Sequence, residues 1–121
     1  LCAYTGKSLA DGYQIDHIYP KVAFQYKNFG GFDNPDDIDN LYACLPIVNH
    51  YKRGFNVEQF RQYMLSFHLR LAKLPKKTNL EKTKNRIKYM NTIADLFNIS
   101  TEKPFCGKFY FELSDKRFVF F

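Results

Sequence analysis

The spacing of apolar residues divides the chain into a strand-like front and a helical back. Tyr13-Gln14-Ile15-Asp16-His17-Ile18, set between Asp11-Gly12 and Pro20, predicts a short strand. Residues 20–39 keep no period and contain Asn28, Gly30-Gly31, Asn34-Pro35 and a run of Asp. A loop of that length in a compact domain is often functional. Leu41-Tyr42-Ala43-Cys44-Leu45 predicts a second strand, and Pro46 opens a short helix carrying Asn49 and Lys52 that Gly54 would end. Asn56, with Gln59 three residues on, reads as an N-cap. Val57, Phe60, Met64, Phe67, Leu71 and Leu74 then recur at steps of three and four, predicting one amphipathic helix stopped by Pro75. Thr78-Asn79-Leu80-Glu81 predicts a capping box for another helix, with an apolar line through Leu80, Ile87, Met90, Ala94 and Phe97. The end, Phe109–Leu113 and Arg117–Phe121 around Ser114-Asp115-Lys116, reads as a hairpin.

The fold class expected is α+β, in a single domain over residues 1–121. Apolar residues make up 45% of the chain and aromatics 18%, bulk enough for a core and too much for wholesale disorder. No apolar run approaches the ~20 residues of a membrane span, so no membrane partner is expected. Cys2, Cys44 and Cys106 are odd in number and unclustered, which fits a reducing, cytoplasmic setting rather than a disulfide framework. Cys2 lies so close to the start that a partner cysteine upstream stays an open alternative.

Charge is unevenly placed. Residues 1–45 hold three Lys and six Asp, while residues 46–121 hold 15 basic and six acidic residues. An acidic front and a basic back point to an anionic partner for the back and chemistry or a cation for the front. A solvated basic helix face is the plainer reading of the same charges.

Candidate chemistry gathers between residues 16 and 52. Asp16 and Asn49 offer hard oxygens suited to Mg2+ or Mn2+. His17 is the natural base to take a proton from water. Asn49 and Lys52 share a helix face, which puts Lys52, with Arg53 beside it, where a phosphate near the metal would lie. Adjacent strand residues point to opposite faces, so Asp16 and His17 serve one site only if the strand ends or bulges between them. His68, between Phe67 and Leu69, reads as structural.

The segment Tyr13-Gln14-Ile15-Asp16-His17-Ile18-Tyr19-Pro20, then Gly30-Gly31, Asp39-Asn40-Leu41, Cys44 and Asn49-His50-Tyr51-Lys52 resembles the HNH nuclease family. Cys2-Ala3-Tyr4-Thr5-Gly6-Lys7 resembles the lead-in before the HNH domains of RNA-guided DNA nucleases. The resemblance covers about residues 2–54. It implies a ββα-metal (His-Me finger) core there; the two amphipathic helices and the terminal hairpin that the spacing predicts over residues 56–121 lie outside the motif. It further implies His17 as general base, Asp16 and Asn49 as ligands of one Mg2+ or Mn2+, Asn40 as a brace for the loop and for His17, and 5′-phosphate and 3′-hydroxyl products. Two departures stand out. Thr5 and Ile47 sit where a second Cys of each zinc-binding pair would be, so no structural zinc is expected. Asn49 takes the last motif position, which the adjacent His50 would claim only by breaking the Asn-x-x-Lys spacing.

The function expected is therefore a divalent-metal-dependent endonuclease acting on DNA, intracellular and bacterial or phage-like. Lys76, Lys77, Lys82, Lys84, Arg86 and Lys88 would meet phosphates. A non-catalytic nucleic-acid-binding module of HNH-like fold is the alternative, and an unrelated soluble interaction domain with a basic helix is the third. No base-reading element and no dimer seam stands out in the sequence, so neither base specificity nor an oligomeric state is predicted.

Overall fold

The computed structural model describes residues 1–18, 36 and 40–114. Among them the fold is α+β, with two antiparallel strands and five helices. Strand β1 (Gln14–His17) pairs with β2 (Leu41–Cys44) in the register Gln14↔Cys44 to His17↔Leu41. The loop expected over 20–39, with Gly30-Gly31 and Asp39, lies outside the described residues apart from Asp36. No helix among the described residues is long and apolar enough to cross a membrane.

Helix α1 (Pro46–Lys52) starts where Pro46 predicts, with Pro in its first turn. It ends differently from the expectation. Arg53, not Gly54, takes the positive φ, at 56°. That conformation is unfavourable for a side-chain-bearing residue and persists only where the surroundings hold it. Lys52 holds it from both sides: its carbonyl accepts the Phe55 N–H at 3.2 Å, and its ammonium donates to the Phe55 carbonyl. Helix α2 (Val57–Leu65) opens on the predicted box: the Asn56 side chain accepts from the Gln59 N–H at 2.9 Å and Gln59 reaches back to the Asn56 N–H at 3.0 Å.

The chain forms two compact units. The first joins Leu1–Arg61 with Lys108–Phe121. Tyr4 is at the centre of its core, edge-on to Tyr42, Phe60, Phe109 and Phe111 at centroid distances of 5.1 to 6.1 Å. Phe60 and Phe109 stack at 5.3 Å. The Ala3 N–H donates to Ala43, which lays the N-terminal segment beside β2. A Cβ on Gly6, whose φ is +74°, would sit 2.5 Å from the Tyr110 ring, so only glycine fits that turn.

The first arm of the predicted hairpin does not form a strand. Tyr110–Ser114 is a short helix, α5, and residues 115–121 lie outside the described residues. The alternating Phe109 and Phe111 mimic a strand but pack as ring partners of Tyr4. The N–H groups of Tyr110 and Phe111 go to the carbonyls of Tyr4 and Ala3, and Glu112 caps the Phe109 N–H at 3.0 Å. Arg61 grips Glu112 with its two terminal guanidinium nitrogens, at 2.6 and 2.8 Å, and lies over the Phe109 ring.

The second unit is Gln62–Gly107. Its core holds Met64, Phe67, Leu71, Met90, Ile93, Ala94, Phe97, Ile99 and Phe105, as the apolar spacing required at most positions. The single helix expected over 57–74 is divided at Ser66 into α2 and α3 (Phe67–Ala72). Ser66 bonds the Tyr63 carbonyl and takes a 2.6 Å bond from Arg70, which also donates to Tyr63. Side-chain bonds of this kind compete with the helical ladder. Helix α4 (Glu81–Leu96) lacks the predicted capping box: Thr78 accepts from the Leu80 N–H instead, and Leu80 is 68% exposed rather than core. Its far end closes on Asn98 in the left-handed region, with Ile99 N–H to Ala94 and Asn98 N–H to Asp95.

Phe60→Ala should lower the unfolding free energy by about 3–5 kcal/mol in urea, because the cavity opens between two fixed rings. For Glu112, burial works against ionisation, but hydrogen bonds from Arg61 and the Phe109 backbone, with the Arg61 and Lys108 charges, hold the carboxyl below its ordinary range. Its contribution to stability is thus complete above the unfolded value of about 4.3 and fades as pH falls through the lower folded value. Stability of Glu112→Gln measured against pH should be flatter in that window.

Candidate functional site

Strand alternation puts Gln14 and Asp16 on one face of β1 and Ile15 and His17 on the other. Helix α1 packs on β1. Asn49 and Lys52, three residues apart on α1, each take one partner from that strand. The Asn49 amide nitrogen donates to Gln14 Oε1 at 2.9 Å, and Lys52 Nζ donates to Asp16 Oδ1 at 3.0 Å.

Lys52 is 1% exposed. Besides Asp16, its ammonium donates to the backbone carbonyl of His17 at 3.1 Å and to that of Phe55. An ammonium has three donors, so all are used. This corrects the expectation that Lys52 meets a phosphate: a lysine buried among three acceptors has no donor to offer. Asp16 is 3% exposed, and its second oxygen accepts the Tyr4 hydroxyl. Burial pushes the Asp16 carboxyl up from its ordinary value, while the Lys52 charge and the Tyr4 hydroxyl draw it back part of the way. Burial, then the Asp16 charge, raises the Tyr4 phenol far enough that it remains a donor.

His17 faces away from this cluster. β1 runs unbroken through it, so the end or bulge needed to bring Asp16 and His17 to one side does not occur. Its ring is 21% exposed, and Nε2 lies 2.8 Å from Oδ1 of Asp36. When Nε2 carries the proton Asp36 accepts it, and Nδ1 is then the ring's free base. Asn40 is fully buried, and its backbone carbonyl accepts the Ile18 N–H at 2.8 Å, one step beyond the β1–β2 ladder, a bond that does not use its side chain.

The implied metal pair does not assemble in this arrangement. Mg2+ keeps several waters and needs carboxylate oxygens open to solvent. Both Asp16 oxygens are engaged and enclosed, and Asn49 is turned to Gln14. Among the described residues, no three His, Cys, Asp or Glu side chains gather into a metal-binding group. Cys2 and Cys44 are buried and free, and burial, then the Asp16 charge, raises the Cys44 thiol. A thiol held protonated is a poor ligand and nucleophile.

Arg53 is exposed at the end of α1. In the second unit Lys76, Lys77, Lys84 and Lys88 line one cleft of about 480 Å3 with Thr78, Asn79 and Ile87. Lys82 and Arg86, two residues out of step with Lys84 and Lys88, are exposed on the other side of α4. Three contributors escaped the sequence reading. Gln14 was available from strand alternation with Asp16. Tyr4 and Asp36 carry no local signal, since their partners are 12 and 19 residues away.

Lys52→Ala should cost about 3–5 kcal/mol, because it strands a buried carboxylate. Lys76→Ala, at an exposed position, should change stability by less than about 0.5 kcal/mol in the same urea titration. Compared with protein-family models, with curated proteins and with solved structures, the chain matches none of them.

Proposed function

We propose that the chain is an endonuclease of HNH type that hydrolyses phosphodiester bonds in DNA, with β1, β2 and α1 as its ββα core. The ordered motif supports this reading, and the observation that carries it is the His17–Asp36 pair at an accessible strand end. Asp36 holds the imidazole by one nitrogen and leaves the other for a water proton. The water oxygen bonds to phosphorus, its proton passes to His17, and the P–O3′ bond breaks as the departing oxygen takes a proton from solvent water. General-base assistance of this kind contributes about 10²–10⁴-fold in rate. The cleft of Lys76, Lys77, Lys84 and Lys88 supplies phosphate contacts that fix the strand without reading bases.

The resemblance implies Mg2+ or Mn2+, but the Asp16–Asn49 pair is not arranged to hold it, and no step here runs through a metal. That same enclosure of Asp16 favours the second reading, a nucleic-acid-binding module that keeps the fold without cleaving.

Supercoiled plasmid incubated with the protein should be nicked, and His17→Ala should slow nicking by at least about 10²-fold. Arms with Mg2+, with Mn2+ and with EDTA report the metal requirement. Plasmid binding without cleavage by folded wild type, repeated on single-stranded DNA and RNA, would instead establish the binding module. Affinity should fall with salt by roughly 0.9 in log–log slope per phosphate contact.

A further inference from the structure

We infer that Asp16 and Lys52 are positioning residues that lock the strand end bearing His17, and that Asp16 does not ligate a metal; for its catalytic part this rests on His17 being the base. The cluster is closed on itself. Asp16 accepts Lys52 Nζ on one oxygen and the Tyr4 hydroxyl on the other. Lys52 spends its remaining donors on the carbonyls of His17 and Phe55. Its ammonium thus stands among oxygens as a resident cation, and its place is set by α1 rather than by solution conditions.

The consequence for His17 is geometric. Its backbone is held from both sides, by Lys52 through its carbonyl and by the strand register opposite Leu41. The preceding residue, Asp16, is fixed to Tyr4, whose ring packs among Tyr42, Phe60, Phe109 and Phe111. The imidazole therefore emerges from a backbone with little freedom to shift, and Asp36 has only the ring left to orient. A metal ion seeking Asp16 would have to expel either a buried ammonium or a buried hydroxyl. The expelled group would then lose its partner in a site that water does not reach, the costly outcome for a buried polar group.

Three readouts test this on the whole chain, and two need no activity. Asp16→Asn and Lys52→Met should each lower Tm by more than about 10 °C, and the double variant should recover most of that loss, since it removes both buried charges together. Singles that add without recovery would overturn the lock. Mn2+ binding, read by the loss of free-ion EPR signal, should be the same in wild type and the double variant, including the case of none in either. A tenfold weaker Mn2+ affinity in the double variant would overturn the inference and return Asp16 to the ligand role. If plasmid nicking is present, the double variant should lower kcat while KM and the Mn2+ concentration for half-maximal rate stay put. A tenfold rise in that Mn2+ requirement would again make Asp16 a ligand. Absence of nicking in wild type would remove the nuclease reading and leave the stability coupling to decide the lock alone.

Discussion

A single buried ammonium organises the first unit. Lys52 reaches Asp16 across the β1–α1 interface and His17 at the strand end, and its third donor closes the turn that follows its own helix. Burying a charge is costly unless it is paired and fully hydrogen-bonded, and each requirement is met by a different part of the chain. The strand end, the helix and the strained Arg53 turn are therefore held by one group. Arg53 can keep a φ of 56° because the residues on either side of it are tied to each other.

Tyr4 connects this polar centre to the apolar one. Its hydroxyl completes the hydrogen bonding of Asp16, and its ring is the hub on which four other rings converge edge-on. Edge-to-face pairs of this kind each add about 0.5–1.5 kcal/mol beyond burial. The N-terminal segment is thus structural at both ends of one side chain. The Arg61–Glu112 pair adds a second tie within the same unit, joining α2 to α5.

For function, the separation of the two faces of β1 matters most. The buried face carries a charge pair committed to architecture, while the accessible face carries an imidazole oriented by a carboxylate. The proposed chemistry needs the second and is steadied by the first. The second unit contributes a different physical resource, four lysines around one cleft and two further cations on the opposite side of α4, which together present positive charge over a wide arc of that helix.

The sequence by itself determined the elements whose causes are local. Pro46 set the start of α1, Asn56 and Gln59 capped α2, and the three-and-four spacing of Phe60, Met64, Phe67 and Leu71 marked the side that is buried. Alternation also warned that Asp16 and His17 would part. Only the tertiary structure decided which polar side chains go inside. Lys52 reads along its helix as a phosphate contact because its partner Asp16 lies 36 residues away, and spacing along one helix records a face but not what covers it. Phe109 and Phe111 alternate like a strand, yet the segment is a helix whose rings pack on Tyr4 and whose first N–H groups donate to the carbonyls of residues 3 and 4. Periodicity is a property of neighbours in sequence, whereas the burial of a charge and the choice between strand and helix in a short aromatic segment depend on partners brought from elsewhere in the chain.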